Sequence, residues 1–505
     1  MWFGLSQRSV DGDEAISILS AQAVLTHGYP RLPSGLIYHR GQLPAYLVAG
    51  SIGAFGLNDL AIMLPSLLCS LGSLFLAYLI GRDLFNRPAV GVAAAAMLTV
   101  LQAQVFYATS ARMYMTLQFC SVLAVYSAWR GYVQGRRAFQ WTTILAIAGA
   151  IFSHQQGGAV LVAVPLSVLL VRWRMGRDRP SINYALACAG LVLLCAAFWF
   201  ATVYQLPGEL TRIAGHSGLN PEHAGVNVNL AQWYQHALEL EQVVPLGLLL
   251  WPTIVFLALR SLRERRSQAH HGIAYLSVFF LLSAIALMAN VNIVHWRLWV
   301  WVLPAYILLL TLSAVTIVEW LGVTNARAYA PPPRPAVWRA GLVGWALVVL
   351  VVVAVTQGPT RYLQLMDKAY LPPCRGSCSP DVEAQYAAFR PWMANDDFVV
   401  SSNPKVTNYY LGRVDGYLRE RQREDGQFTS FESPTDEYLG IPLIDTQDEL
   451  EELRRSPRRV WILVDHKAMR FSSRHTRDFL SRAYAKHQEH DVLTVYVNSV
   501  VKPSD

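Results

Sequence analysis

The sequence predicts a polytopic α-helical membrane protein of about ten spans, followed by a C-terminal α/β domain on the extracytoplasmic side. Three observations predict it. Hydrophobic residues make up 53% of the 505 positions and charged residues only 15%, against about a quarter charged in ordinary soluble domains. Apolar windows of about 20 residues, long enough to cross a bilayer, recur between positions 59 and 357. Beyond 357 the chain turns polar, and strand-like runs alternate with amphipathic helical ones.

The apolar windows read as spans over 59–81, 88–107, 113–130, 138–153, 156–172, 182–204, 242–260, 272–290, 298–320 and 338–357. Only SHQQGG separates the pair at 138–172. LPAYLVAGSIGAFG, at 43–56, is shorter and punctuated by Gly and Pro, which fits a juxtamembrane or partly inserted helix. The connections RDLFNR (82–87), RGYVQGRR (130–137), RWRMGRDR (172–179), RSLRERR (260–266) and NARAYAPPPRPAVWR (325–339) are basic and fall at every second loop. The alternate loops, including YATSAR, SHQQ, the polar 205–241 stretch and NVNIVHWR, carry few cations. Positive charge concentrates on the cytoplasmic side of membrane proteins, so the basic set is cytoplasmic and the other set external. This alternation also accounts for the net charge of +8. No basic patch with interleaved aromatics argues for nucleic acid.

The same rule places everything before 59 and after 357 outside, in the inner or plasma membrane of a cell. The segment MWFGLSQRSV lacks the apolar core of a signal peptide. The expectation is therefore that a first transmembrane helix belongs ahead of this sequence and is missing from it. Three parts follow: an external segment 1–58, a membrane domain 59–357, and a polar domain 358–505. In the last, DFVVSS, RVWILVD and DVLTVYV alternate with DVEAQYAAFRPWMA, TQDELEELRRS and TRDFLSRAYAKH. It shows no Gly-rich phosphate loop, so packing or acceptor recognition is its expected role. Cys69, Cys120, Cys188 and Cys195 lie in apolar stretches and read as small buried hydrophobes. Cys374 and Cys378, in CRGSC, have no neighbouring metal ligands, and in an oxidising compartment they are a candidate disulfide.

Chemistry-bearing residues gather on the external side. SVDGDEAISILSAQ packs Asp11, Asp13 and Glu14 into four positions. YHRG supplies His39 and Arg40, SARMYM supplies Arg112 and Tyr114, SHQQ supplies His154, and NIVHWR supplies His295 and Arg297. Taken singly, each has a bland reading: a solvated acidic loop, an arginine snorkelling to headgroups, a helix-end histidine. Together they form one set, carboxylates and cations on the face opposite the basic loops. A carboxylate can take a proton from an acceptor hydroxyl while cations hold a departing phosphate. An external site has no nucleotide sugar to draw on, so a lipid-linked activated sugar is the natural donor.

The opening DEA, GYPRLPSGLIYHRGQLPAYLVA, FGLNDLAIMLPSLLCSLGSLFLAYLIGRDLF and YATSARMYM, in this order and spacing, resemble the GT-C glycosyltransferases. Their protein O-mannosyltransferase and lipid A aminoarabinose transferase branch is the nearest in pattern, and the resemblance covers roughly residues 9–320. It implies a GT-C membrane enzyme that uses a polyprenyl-phosphate sugar and inverts the anomeric carbon. By the family's acidic loop, Asp13 is expected as general base and Glu14 as its assistant, with Asp11 a third candidate. Arg112 and Tyr114 match the family's Arg-x-Tyr, and Arg297 a late external arginine for the donor phosphate. His39, Arg40, His154 and His295 are further candidates for substrate binding. Where the family commonly has a His-Pro-Pro-like element, this chain has His-Arg-Gly-Gln. No cofactor is implied, and a metal ion is not indicated. The acceptor class (protein, lipid or glycan) is left open. The rival reading is a transporter or flippase of a lipid-linked saccharide, which should carry ionisable groups at mid-span rather than at span ends. A non-catalytic scaffold displaying the C-terminal domain is the third.

Overall fold

The computed structural model describes residues 10–38, 40–176, 247–264, 267–288, 296–320, 382–419, 434–465, 474–490 and 493–498, with Gly190 and Val244 besides. These fall into two units, one drawn from 1–38, 52–59 and 363–505 and the other from 39–51 and 60–362. The spans read at 182–204 (Gly190 apart) and 338–357, the 205–241 loop, Cys374, Cys378, His39 and His295 lie outside the described residues.

The second unit is helical. After α1 (Gly12–His27), which belongs to the first unit, come α2 (Gln42–Phe55), α3 (Asp59–Asp83), α4 (Pro88–Val100), α5 (Gln102–Ala108), α6 (Tyr114–Ala128), α7 (Arg137–Ser153), α8 (Gly157–Arg174), α9 (Trp251–Arg263), α10 (Gln268–Met288) and α11 (Leu303–Trp320). Among the described residues, three stretches are long and apolar enough to cross a membrane: Asp59–Asp83, Gly157–Arg174 and Gln268–Leu287. Pro88–Val100 and Leu303–Glu319 are shorter apolar helices. The outward faces of α3, α7, α8 and α10 expose Leu68, Leu71, Phe75, Trp141, Leu145, Trp173 and Leu281, as lipid-facing helices do. Polar residues turn inward instead. Ser73, Ser121, Ser127 and Ser167 are fully buried, and each hydroxyl donates to a carbonyl one turn back. That satisfies the hydroxyl without a partner in the apolar phase. Small residues set the closest crossing: a Cβ at Gly91 would strike the Tyr78 backbone, and one at Gly81 would strike Gly91, so α3 and α4 meet backbone to backbone.

The span read as continuous over 88–107 is divided in the structure. Leu101 is extended (φ −66°, ψ 126°), ending α4 and starting α5. Apart from Gln102 and Gln104 both pieces are apolar, so average hydropathy reads them as one window. The basic ends are tied together. Asp83 accepts from Arg82 Nε at 2.6 Å and from the Tyr126 hydroxyl at 2.7 Å, and Arg172 donates to the Tyr132 carbonyl at 2.6 Å. Tyr132 lies in a π-helical turn, Trp129–Val133, that ends α6.

The first unit holds a six-stranded sheet in the order β3-β2-β1-β4-β6-β5. Its strands are β1 (Phe398–Ser401), β2 (Gly416–Leu418), β3 (Leu443–Ile444), β4 (Val460–Asp465), β5 (Ala485–Glu489) and β6 (Leu493–Val497). The first four are mutually parallel, and β6 and β5 run antiparallel to their neighbours. Helices α12 (Val382–Phe389), α13 (Pro404–Leu411), α14 (Gln447–Arg455) and α15 (Arg474–Ala483) intervene. Strands β1 and β4 are apolar up to their last residues, Ser401 and Asp465, because each face has its own core. One gathers Phe389, Val399, Val406, Trp461 and Leu463, the other Val400, Ile462, Leu450 and Leu480.

Candidate active site

The acidic turn opens α1. Asp11 is its N-cap, and its Oδ1 accepts the Glu14 amide at 2.7 Å. Asp13 and Glu14 fall in the first turn, where the positive end of the helix dipole favours carboxylates. The three carboxylates differ in surroundings. Glu14 is buried, 1% exposed, whereas Asp11 and Asp13 are exposed. Asp11 is engaged as the cap, which leaves Asp13 as the exposed carboxylate outside the capping bond. Just ahead, the Val10 amide donates to the Tyr410 hydroxyl at 3.0 Å.

Cationic and aromatic candidates assemble in the helical unit. Arg112 and Tyr114 lie at the turn between α5 and α6, and both are buried, at 7% and 2% exposure. The Arg112 guanidinium carbon stands 5.7 Å from the centre of the Tyr114 ring. The His154 ring stands 5.8 Å from the Tyr114 ring, centre to centre. His154 caps α7 in an extended conformation within a tight hairpin: the Gly157 amide donates to its carbonyl at 2.8 Å. Gly157 is required there, since a Cβ would strike the Ala150 backbone. Gly41 serves a similar purpose for Arg40. At φ +103°, with a prospective Cβ 3.3 Å from Met113 Cβ and 3.4 Å from the Ser153 carbonyl, it lets the chain beside Arg40 lie against both turns.

The electrostatics agree with this grouping. Burial, reinforced by Arg112, Arg297 and Arg40, pushes the His154 imidazole down to about 3. It is therefore neutral at physiological pH. Its Nδ1 accepts the Gln156 amide at 3.2 Å, which assigns the proton to Nε2. Arg40, Arg112, Tyr114, His154 and Arg297 thus form one set, with three permanent cations acting on a neutral N–H donor. The structure places Asp11, Asp13 and Glu14 in the first unit and these five in the second. Among the described residues, no group of three or more His, Cys, Asp or Glu side chains could hold a metal ion.

Several participants escaped the sequence. Tyr410 and Asn403 of α13 adjoin the acidic turn, and nothing in their spacing announces it. Gln104 and Gln118 read as ordinary residues of apolar spans, yet both are fully buried. A polar amide in an otherwise apolar helix was the available signal for these two.

Residues 39–200 match the family model described as dolichyl-phosphate-mannose-protein mannosyltransferase. A curated protein of Pseudomonas fluorescens (strain Pf0-1), undecaprenyl phosphate-alpha-4-amino-4-deoxy-L-arabinose arabinosyl transferase 1, is 24% identical over 300 residues, 58% of this chain. The match spans about half, 51%, of that relative's length. Among solved structures, ArnT from Cupriavidus metallidurans bound to undecaprenyl phosphate superposes with a TM-score of 0.60 at 14% identity, covering 99% of this chain and 96% of that one. The archaeal oligosaccharyltransferase AglB of Archaeoglobus fulgidus superposes with a TM-score of 0.55 at 12% identity, over 99% and 72% of the two chains. The chain is a helical membrane protein with the GT-C fold, similar to the mannosyltransferase and aminoarabinose-transferase branch of the GT-C glycosyltransferases.

Proposed function

We propose that this chain transfers a sugar from a polyprenyl-phosphate donor to an acceptor hydroxyl at the external face of the membrane. The observation that carries the reading is the grouping of Arg112, Tyr114 and the neutral His154, with Arg40 and Arg297 acting on the imidazole. Cations at helix ends suit a phosphate, and the buried Arg112 is worth most where water is scarce. A lipid-linked phosphate meets such a site at the membrane surface. Support for the donor class also comes from the fold, which is that of a protein solved with undecaprenyl phosphate.

In this reading Asp13 is the general base. As it takes the proton from the acceptor hydroxyl, the acceptor oxygen bonds to the anomeric carbon. The bond from that carbon to the phosphate oxygen breaks on the opposite face, so configuration inverts. The electron pair leaves with the polyprenyl phosphate, whose charge Arg112 and Arg297 stabilise, and the His154 Nε2–H can donate to a phosphate oxygen. Glu14, buried one residue on, positions the turn that carries Asp13. Positive-inside topology puts this chemistry and the α/β unit outside the cytoplasm.

The test supplies membranes containing the full chain with radiolabelled polyprenyl-phosphate sugars and follows label into protein, lipid and glycan fractions. Transfer that falls by roughly 10²-fold or more in Asp13→Asn, with the protein still folded, supports the reading. Consumption of no polyprenyl-phosphate sugar by the unaltered chain overturns it.

A further inference from the structure

The α/β unit has a feature that the transfer reading leaves unused. Its parallel strands run β3-β2-β1-β4, so the chain leaves β1 for β2 on one side and leaves β4, through α15, for β5 and then β6 on the other. Neighbouring strands whose connections diverge leave a crevice beyond their C-terminal ends, where open α/β sheets ordinarily take a ligand. Here the crevice is built by Ser401, Ser402, Asn403 and Asp465. The Asp465 amide donates to Ser402 Oγ at 2.7 Å, the Asn403 amide to Ser401 Oγ at 3.0 Å, and the Asn403 side-chain amide to Asp465 Oδ2 at 2.9 Å. Against this crevice lies the start of α1: a Cβ on Gly12 would stand 3.3 Å from Asn403 Oδ1.

A second contact comes from the same helix, α13. The Val10 amide donates to the Tyr410 hydroxyl at 3.0 Å. The Tyr410 ring is itself held, stacked on Tyr386 at 5.2 Å and 18°, with Tyr409 edge-on at 4.9 Å. Burial, together with nearby groups that include Glu14, raises the Tyr410 hydroxyl above the usual phenol range, so it stays protonated.

The far end of the same segment is anchored as well. Ser34 donates through its amide to the Tyr438 carbonyl at 3.2 Å and through its hydroxyl to the Glu437 carbonyl at 2.6 Å. Gly440, at φ +72°, permits that approach, since a Cβ there would come within 3.0 Å of Ser34 Cα. Ile16, Leu32, Tyr38 and Tyr438 pack together between the two anchors.

We propose that Tyr410 and Asn403 are positioning residues for the Asp11–Glu14 turn, so that the α/β unit holds that carboxylate turn in place. This inference rests on the role given to Asp13 above. Neither residue touches the reacting atoms. Tyr410 fixes the backbone one residue ahead of the N-cap, and Asn403, held by Asp465, abuts the glycine between Asp11 and Asp13. A displaced general base costs turnover far more than it costs binding of a donor phosphate held elsewhere.

The test compares full-length chain with Tyr410→Phe, which removes one hydroxyl and keeps the stacked ring, and with Asn403→Ala. Hydrogen exchange over residues 10–20 should quicken by about tenfold in each, with the thermal midpoint little changed. In the transfer assay kcat should fall about tenfold while KM for the polyprenyl-phosphate sugar holds. Unchanged exchange over 10–20 in both variants overturns the docking. Quickened exchange with unchanged kcat overturns the positioning role. If the unaltered chain transfers no sugar, the transferase reading fails, and the exchange arm still decides whether α13 seats the turn.

Discussion

Gln104 and Gln118 exchange two side-chain hydrogen bonds, each amide nitrogen donating to the other's oxygen at 3.0 and 2.9 Å, in the interior of the helical unit. The pair reaches further. Gln118 Nε2 also donates to the Val300 carbonyl at 2.7 Å, and Gln104 Nε2 to Ser70 Oγ at 2.8 Å. It therefore links α3, α5 and α6 to the segment that follows Arg297, and the helix that starts at Tyr114 carries Gln118 one turn on.

A single Gln118→Leu exchange should cost more than the double exchange. The lone variant leaves the Gln104 side-chain oxygen without its donor and takes the shorter of two donors from the Val300 carbonyl, for roughly 1–3 kcal/mol. With Gln104→Leu added, fewer polar groups are left unmet, and part of the loss should return. Thermal unfolding in detergent of the two single variants and the double variant measures the difference.

His154 should make stability depend on acid. Its folded-state value of about 3 lies below the value near 6.5 of an unfolded chain. The unfolded state thus takes the proton first. The contribution is complete above about 6.5 and is lost as pH falls toward about 3. The thermal midpoint should decline across this window, and His154→Gln should flatten the decline.

Arg112→Lys keeps a cation and loses the planar fork that grips two phosphate oxygens. In the transfer assay KM for the polyprenyl-phosphate donor should rise by about tenfold or more, with folding preserved. Equal KM in the two proteins would place the donor phosphate elsewhere.

Asp397 should govern the stability of the α/β unit. Burial opposes its ionisation, but Arg459, the Ala394 amide and the Trp461 indole together hold its carboxyl below the usual range. Both oxygens pair with Arg459 at 2.8 Å, and Trp461 Nε1 donates at 2.7 Å. Asp397→Ala leaves the guanidinium and indole without their acceptor, a loss of about 3 kcal/mol. The carboxylate's contribution is full above about 3.9, the unfolded value, and disappears as pH falls through the lower folded one. Hydrogen exchange of β1 and β4 against pH follows it.

Part of this architecture is legible residue by residue. Arg82, Arg130, Arg172 and Arg260 mark helix ends because a cation cannot stay in the apolar layer, and the structure ends or turns its helices near each. Asp11, Asp13 and Glu14 read as an external acidic loop, and it is the structure that makes Asp11 the N-cap of α1, its side-chain oxygen accepting the amide three residues on. Leu101 shows the limit. It interrupts a run that average hydropathy reads as continuous across Gln102 and Gln104, and the packing of α4 and α5 selects an extended residue there.

What the sequence by itself determined is local: the apolar helices, their basic ends, the acidic cluster, and the residue types from which a phosphate-handling set can be drawn. Each follows from the solvation of one segment and its immediate neighbours. The tertiary structure alone decided the partners. It set Tyr114 against His154, paired Gln104 with Gln118, divided the candidates between two units, and brought Val10 to Tyr410 and Ser34 to Glu437 across some four hundred positions. Hydrogen bonds and ring contacts between such distant residues leave no periodic trace along the chain. They arise when whole elements pack, and that choice depends on every face at once.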